Sequence, residues 1–217
     1  MDPAVKKLLE LMSNEPRAIS TVSFDARSCN TVKAARHFGQ FLRACGEHLH
    51  HFSVRFADRS LYLDHKKSAA WWKWINCYLN KKGGHLESLD AHDLCISSAD
   101  VISGMGQLKE LKIGAPPESL NQLMVLSTAL VKLQHAQKND AGAQSGSLKL
   151  SVVTPVNFGF FVCGLMNEIS EPLRMITELF CVLDQWFPLF GSIAAAEDVL
   201  NPWRNLPNLR TFHAAFR

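Results

Sequence analysis

The chain has 217 residues, of which 47% are hydrophobic and 20% are charged, a composition that excludes wholesale disorder and fits one folded domain spanning 1–217. Its 23 Lys and Arg and 20 Asp and Glu leave a net charge of +3, with carboxylates interspersed among the lysines, so the linear sequence offers no basic run for nucleic acid to follow. The most apolar stretch, 156–166, is too short to span a bilayer, so we expect no membrane-spanning segment and no membrane partner.

Six cysteines are scattered along the chain without any Cys-x-x-Cys pair. A chain of this length can bury its own core without a disulfide framework, so we expect reduced, mostly buried thiols. The N-terminal residues alternate charge and leucine and lack the apolar region of a secretory signal. These patterns predict a cytoplasmic location, with the nucleus as the alternative, and no cofactor or metal.

The predicted elements alternate between helices and short strands. In chain order, helical spacing and capping residues predict a helix after Asp2 and helices over 30–46, 68–84 and 116–129. Ser68 is the expected N-cap of the third of these. The stretch 138–147 is a loop by composition, and 158–187 is predicted to be an irregular, mainly helical segment with Pro172 opening its second helix.

Between the helices, the pattern apolar-x-x-apolar-x-apolar recurs. It is formed by residues 19–24, 49–54, 86–91, 108–113, 130–135 and 209–214, and 147–153 is a degenerate copy. Leu86, Leu108 and Leu130 follow one another at intervals of 22 residues. Such recurrence is typical of repeat architectures, in which neighbouring units stack to share one core.

The repeated L-x-x-L-x-L core resembles that of leucine-rich-repeat proteins over about residues 15–155 and the last ten residues. The helices between the units resemble the intracellular kind, such as the substrate-recognising arms of F-box proteins. The resemblance implies an α/β fold, an irregular solenoid with parallel strands on the concave side and helices on the convex side. It also implies a non-enzymatic, protein-binding scaffold, with substrate recognition in an F-box-type ubiquitin ligase as one role. The Asn or Cys that the family carries after the motif is absent, and no F-box is visible.

The repeat register assigns side chains to the outward side of the strands. It predicts one row formed by Ser23, Ser53, Asp90, Lys112 and Gln134, and a second formed by Asp25, Arg55, His92, Gly114 and Ala136. Opposite charges, as in the pairs Asp25–Arg55 and Asp90–Lys112, should lie about 4.8 Å apart. The predicted partner-binding residues are Asp25, Ser53, Arg55, Glu87, Asp90, His92, Lys112, Gln134 and His213. A solvated face whose charges pair with one another is the alternative interpretation.

Two further interpretations concern chemistry. Asp90 and His92 could form the centre of a small α/β hydrolase, but the only nearby hydroxyl is that of Ser88 and no nucleophile-elbow motif occurs. The histidines of "HLHH", 48–51, lack a fourth ligand at a zinc-like spacing, which favours a surface cluster over a metal site.

The last residues, "TFHAAFR", read as a strand unit without a following helix. Solenoids require polar capping units at their ends. We therefore expect that either the protein continues or its final edge pairs with another chain.

Overall fold

The structure is a computed structural model that describes residues 3, 7, 10, 11, 14, 19–25, 31–55, 65–91, 100–114, 120–139, 147–154, 165, 168–183 and 204–216. Seven strands are present in it: β1 (Thr21–Asp25), β2 (His51–Arg55), β3 (Ser88–Ala91), β4 (Glu110–Gly114), β5 (Leu148–Thr154), β6 (Ile176–Leu183) and β7 (Thr211–Phe216). Four helices have defined bounds: α1 (Val32–Cys45), α2 (His65–Lys82), α3 (Asp100–Ser103) and α4 (Leu120–Asn139). The fold is therefore α/β, as predicted.

All seven strands belong to one sheet. Each strand pairs in parallel with the next strand in the chain, so the spatial order β1 to β7 is the sequence order. A parallel pair requires a connection that returns to the starting end of the sheet, and α1 and α2 each lie within such a connection. Strands β1 and β7 are the two edges of the sheet.

One row of apolar side chains crosses all seven strands. The register aligns Val22, Phe52, Leu89, Leu111, Leu150, Leu179 and Phe212. Exposure does not exceed 7% in the first six, whereas Phe212 on the edge strand is 40% exposed. Since full burial of one such side chain contributes about 2 kcal/mol, this row is a principal part of the core.

Helices α1 and α2 pack on the face of the sheet that carries this row. The ring of Phe38 from α1 lies 4.3 Å from that of Phe24 and 6.2 Å from that of Phe52. The ring of Tyr78 from α2 lies 5.5 Å from the Phe52 ring. Because side chains alternate along a strand, the residues between the core positions point to the opposite face.

The two helices approach each other closely at a glycine. A Cβ added at Gly39 of α1 would lie 2.4 Å from the indole ring of Trp74 of α2. Helix α1 itself begins at an N-cap, Thr31, whose hydroxyl accepts a hydrogen bond from the Ala34 amide at 3.1 Å. Both features fix where α1 starts and how near it lies to α2.

The turns that precede several strands share one local geometry. The amides of Leu49, Leu86, Leu108 and Leu209 each donate to the carbonyl three residues earlier, at 3.5, 3.0, 3.1 and 3.1 Å. The first three of these leucines are at most 1% exposed. The first apolar slot of the predicted motif therefore marks the same turn in four units.

The predicted unit at 130–135 is wrong. Leu130, Leu133 and Gln134 lie within α4, which extends ten residues beyond the predicted end at 129. The strand that follows β4 in the sheet is β5, the copy predicted to be degenerate. A spacing of three between Leu130 and Leu133 suits a buried helix face as well as the first two slots of the repeat, and the helix is what forms.

The helical prediction for 158–187 is wrong at 176–183, which form β6. This strand pairs with β5 on one side and β7 on the other, and Leu179 occupies the core row. Pro172 lies in an irregular segment before the turn at Arg174 and Met175, and not at the start of a helix. The rest of the segment, apart from 165 and 168–175, lies outside the described residues.

Other boundaries differ in detail. Helix α2 begins at His65, so Ser68 lies inside it and is not the N-cap, and α4 begins at Leu120. Cys45 and Cys181 are buried, whereas Cys77 is partly exposed, and burial raises the pKa of Cys45 and of Cys181 to about 12. Over the described residues, no helix combines the length and the apolar character needed to cross a bilayer.

Candidate protein-binding face

The sheet face opposite α1 and α2 carries a row of mostly polar side chains, here called the central row. It is formed by Ser23, Ser53, Asp90, Lys112, Ser151, Phe180 and His213, which the strand register aligns across all seven strands. Ser23 and His213 are exposed, and the residues between them are partly or fully buried. The predicted alignment of Ser23, Ser53, Asp90 and Lys112 is confirmed.

Asp90 is the best-buried member of the central row, with 8% exposure. Its Oδ2 lies 3.5 Å from Nη2 of Arg55 and 4.0 Å from Nζ of Lys112. The predicted Asp90–Lys112 pair is thus present, and Asp25 lies opposite Arg55 in the register. Since a buried carboxylate requires compensating charge, the nearby Arg55 and Lys112 offset part of the cost of burying Asp90.

A second row of polar residues lies beside the central row on the same face, and its members contact one another. It contains Ser88, Glu110, Lys149 and Glu178. Ser88 Oγ donates to Glu110 Oε2 at 3.3 Å, and Lys112 Nζ lies 3.3 Å from Glu110 Oε1. Farther along the sheet, Lys149 Nζ is 3.2 Å from Glu178 Oε2. Charges in the middle of this face are therefore neutralised in place, as the interpretation of a self-paired face predicted.

Glu87 forms a similar pair at the edge of the face, just before β3. Its Oε2 lies 2.6 Å from Lys109 Nζ, and its Oε1 lies 3.4 Å from His50 Nδ1. The hydrogen bond from Lys109 and the charge of that lysine hold the pKa of Glu87 below its usual value. Glu87 thus stays ionised, and it is paired, not free.

The end of the central row differs in character from its middle. The Phe180 ring and the His213 imidazole stack with centroids 4.7 Å apart and planes 7° apart. Phe180 is partly exposed and His213 is exposed. Phe is among the aromatic residues that are enriched at protein interfaces, so a partly exposed Phe180 is suited to anchoring a partner.

The predicted site residues are thus only partly brought together. Ser53, Arg55, Asp90, Lys112 and His213 lie on the face, Asp25 lies on its edge strand, and Glu87 lies beside it. Gln134 does not lie there: it is in α4 and buried, which corrects the prediction, and Ala136 is likewise in α4. Gly114 lies in β4 as predicted, and His92 lies outside the described residues.

Sequence reasoning missed Phe180 and Glu178 because it assigned 176–183 to a helix. The sequence signal was weak, since the run from Leu179 to Leu183 is apolar at every position and does not alternate in polarity at the strand period of two. The register then aligns Phe180 with Ser151 and His213. These positions extend the central row beyond Lys112.

The structure describes only some of the residues that the hydrolase and metal-site interpretations involve. The Ser88 hydroxyl donates to Glu110, and Asp90 contacts two cations. Across the described ranges, no group of three or more His, Cys, Asp or Glu residues is arranged to hold a metal ion. The hydrolase interpretation, which also needs His92, stays a prediction.

In comparisons with known proteins, no family model matches the chain, and no curated protein sequence matches it.

Proposed function

We propose that this chain is a protein-binding scaffold of the leucine-rich-repeat type, which recognises another protein through the central row. The observation that carries the proposal is the alignment of one outward side chain from each of seven parallel strands on the face opposite α1 and α2. A continuous surface of this kind is what repeat proteins use for extended contacts.

Two features support a solenoid over a doubly wound sheet. Strand order follows chain order from β1 to β7, whereas a doubly wound sheet reverses its order at a switch point. The turns at Leu49, Leu86 and Leu108 also repeat one hydrogen bond before successive strands. Substrate recognition in an F-box-type ubiquitin ligase, and a cytoplasmic or nuclear location, follow from the resemblance and belong to this proposal.

The ion pairs on this face indicate which residues should contribute most to the binding free energy. Asp90, Lys112 and Glu110 neutralise one another, so breaking their pairs to bind a partner costs about as much as it gains. Within the described residues, Phe180 and His213 take part in no ion pair, so binding through them breaks none. We therefore assign the main anchor to the stacked Phe180–His213 pair, and a positioning role to the charged middle of the row.

Site-specific photo-crosslinking tests the proposal. A benzoylphenylalanine at Ser53, Lys112 or Phe180 should crosslink to one and the same protein, because these positions share a face. The control position is Lys138, which is exposed on α4. Crosslinks from Lys138 alone, or none from the three face positions, would contradict the proposal. Recovery of ubiquitin-ligase adaptors with the crosslinked protein would support the ligase role.

The captured partner then allows an affinity measurement. Removing an anchor costs about 2 kcal/mol or more, so Phe180→Ala should weaken binding about 30-fold. Lys138→Ala should leave the dissociation constant within about twofold, since surface side chains away from an interface contribute little. Equal effects of the two substitutions on the dissociation constant would contradict the assignment of Phe180 as the anchor.

A further inference from the structure

A marked separation of charge distinguishes α1 and α2 from the rest of the molecule. The two helices contain eight of the 23 Lys and Arg and none of the 20 Asp and Glu. The rest of the chain therefore contains fifteen basic residues and all twenty acidic residues. The net charge of +3 conceals a basic pair of helices on an otherwise acidic protein.

Five exposed cations of these helices lie near no carboxylate of the described residues. Within the described residues, no carboxylate lies within ion-pair distance of the exposed basic residues Lys33, Arg36, Arg43, Lys73 and Lys81. Elsewhere in the described part of the chain, Lys109, Lys112, Lys132 and Lys149 each contact a carboxylate, whereas the exposed Lys138 and Arg174 lie near none. At these five positions no described carboxylate neutralises the positive charge, whereas Lys82 of α2 pairs with Glu47.

Helix stability accounts for only part of this arrangement: Arg43, Lys81 and Lys82 lie in the last turns of their helices, where the helix dipole favours cations. Lys33 lies in the first turn of α1, where the helix dipole favours an acidic residue, and no acidic residue is present in that turn. Lys33, Arg36 and Arg43 are spaced by three and seven residues, which puts them on one side of α1. They span about 15 Å along the helix at about 1.5 Å per residue.

A cleft of about 100 Å³ lies between the two helices. Its lining includes the apolar or aromatic residues Leu42, Trp74 and Tyr78 and the cations Arg43, Lys81 and Lys82. This volume is below that of typical small-molecule pockets and suits a single side chain. Lys82 Nζ lies 2.8 Å from the carboxylate of Glu47, so a lysine that lines the cleft already pairs with a carboxylate.

We propose that this basic helix surface, formed by α1 and α2, binds an acidic protein segment that inserts one apolar side chain into the cleft. An extended segment of about five residues would span 15 Å at about 3.3 Å per residue. A protein segment fits better than single-stranded nucleic acid because the guanidinium of Arg43 lies over the Trp74 ring, 5.6 Å from its centroid, where a base would have to stack. The surface lies on the opposite side of the sheet from the central row, so the two proposals are independent.

Fluorescence anisotropy with a labelled peptide tests the inference. The probe is an acidic peptide of about six residues with one central leucine, and its companion carries alanine in place of the leucine. A uridine oligonucleotide and phosphatidylserine vesicles are the other probes. The variants are Lys81→Glu on the basic helix surface and Lys138→Glu, a matched charge reversal on α4.

The expected result is that the leucine peptide binds, that Lys81→Glu weakens binding about fivefold and that Lys138→Glu changes it less than about twofold. The alanine peptide should bind more weakly than the leucine peptide. Arg43→Gln is a second variant, should Lys81→Glu alter the circular dichroism spectrum. No binding of the peptide, equal effects of the two charge reversals, equal binding of the two peptides, or tighter binding of the oligonucleotide or the vesicles would each overturn the inference.

Discussion

At the scale of single residues, Gln134 has a different role from the one its sequence position predicted. Its Nε2 donates to Glu171 Oε1 at 2.9 Å and to the Pro172 carbonyl at 3.0 Å. Its Oε1 accepts from the amides of Arg174 at 2.6 Å and Met175 at 3.3 Å. One buried side chain therefore satisfies the backbone of the turn that leads into β6.

Removing this side chain should destabilise the protein. Gln134→Ala leaves two amides and a carbonyl without their partner, and unsatisfied buried groups cost about 1–3 kcal/mol each before relaxation or water entry. We expect a loss of about 2 kcal/mol in the free energy of unfolding, measured by urea denaturation. Gln40→Ala, at an exposed position of α1, is the control and should change it by less than about 0.5 kcal/mol. A loss no larger than that of the control would mean that water replaces Gln134.

Asp90 illustrates which properties of a single residue could be predicted from the sequence and which could not. Its strand position and its neighbour Lys112 were predicted, because both follow from counting along the repeat. Its exposure of 8% was not, because burial depends on everything that surrounds the side chain in three dimensions. An experiment that removes Asp90 therefore tests stability as well as binding, which is why Phe180 is the better choice.

At the scale of elements, the strands were predictable where the motif had all three apolar slots. Leu49, Leu86 and Leu108 each precede such a strand by two residues. The motif failed in α4, where leucines three residues apart also suit a helix, and β6 was missed because it is apolar on both sides of its alternation. Local patterns cannot separate a buried strand from a buried helix, and the pairing with β5 and β7 decides the outcome.

The contact between α1 and α2 provides a prediction at this scale. In a helix, replacing glycine by alanine stabilises by about 1 kcal/mol. At Gly39 the added methyl group would lie 2.4 Å from the Trp74 ring, so the helices must move apart, at a cost of about 1–3 kcal/mol. We expect Gly39→Ala to lower the midpoint of urea unfolding despite its favourable helix propensity.

Gly104→Ala is the matched control for this substitution. A Cβ at Gly104 has no atom within 4 Å, so the change adds the same methyl group without a clash. It should leave the midpoint unchanged or raise it slightly. A midpoint for Gly39→Ala at or above that of Gly104→Ala would show that α1 and α2 pack less closely than the structure indicates.

At the scale of the whole molecule, the two faces of the sheet have different roles. One face collects the core row and packs against α1 and α2, and the other presents residues that pair with one another and end at Phe180 and His213. The resemblance to leucine-rich repeats predicted this division and the parallel strands. It did not predict the basic helix surface, because the resemblance rests on the apolar slots of the repeat and not on the charges of the helices between them.

A stacked architecture also predicts how stability varies along the molecule. When each unit contacts only its neighbours, a unit with two neighbours is held more firmly than one at an edge. Leu111 in β4 and Leu150 in β5 are 0% exposed, whereas Phe212 in the edge strand β7 is 40% exposed. Native-state hydrogen exchange should therefore give β7 amides an opening free energy at least about 2 kcal/mol below that of β4 and β5, a difference of about 30-fold in exchange rate. A doubly wound sheet that opens as one cooperative unit would give equal free energies across these strands, so uniform protection would argue against the solenoid.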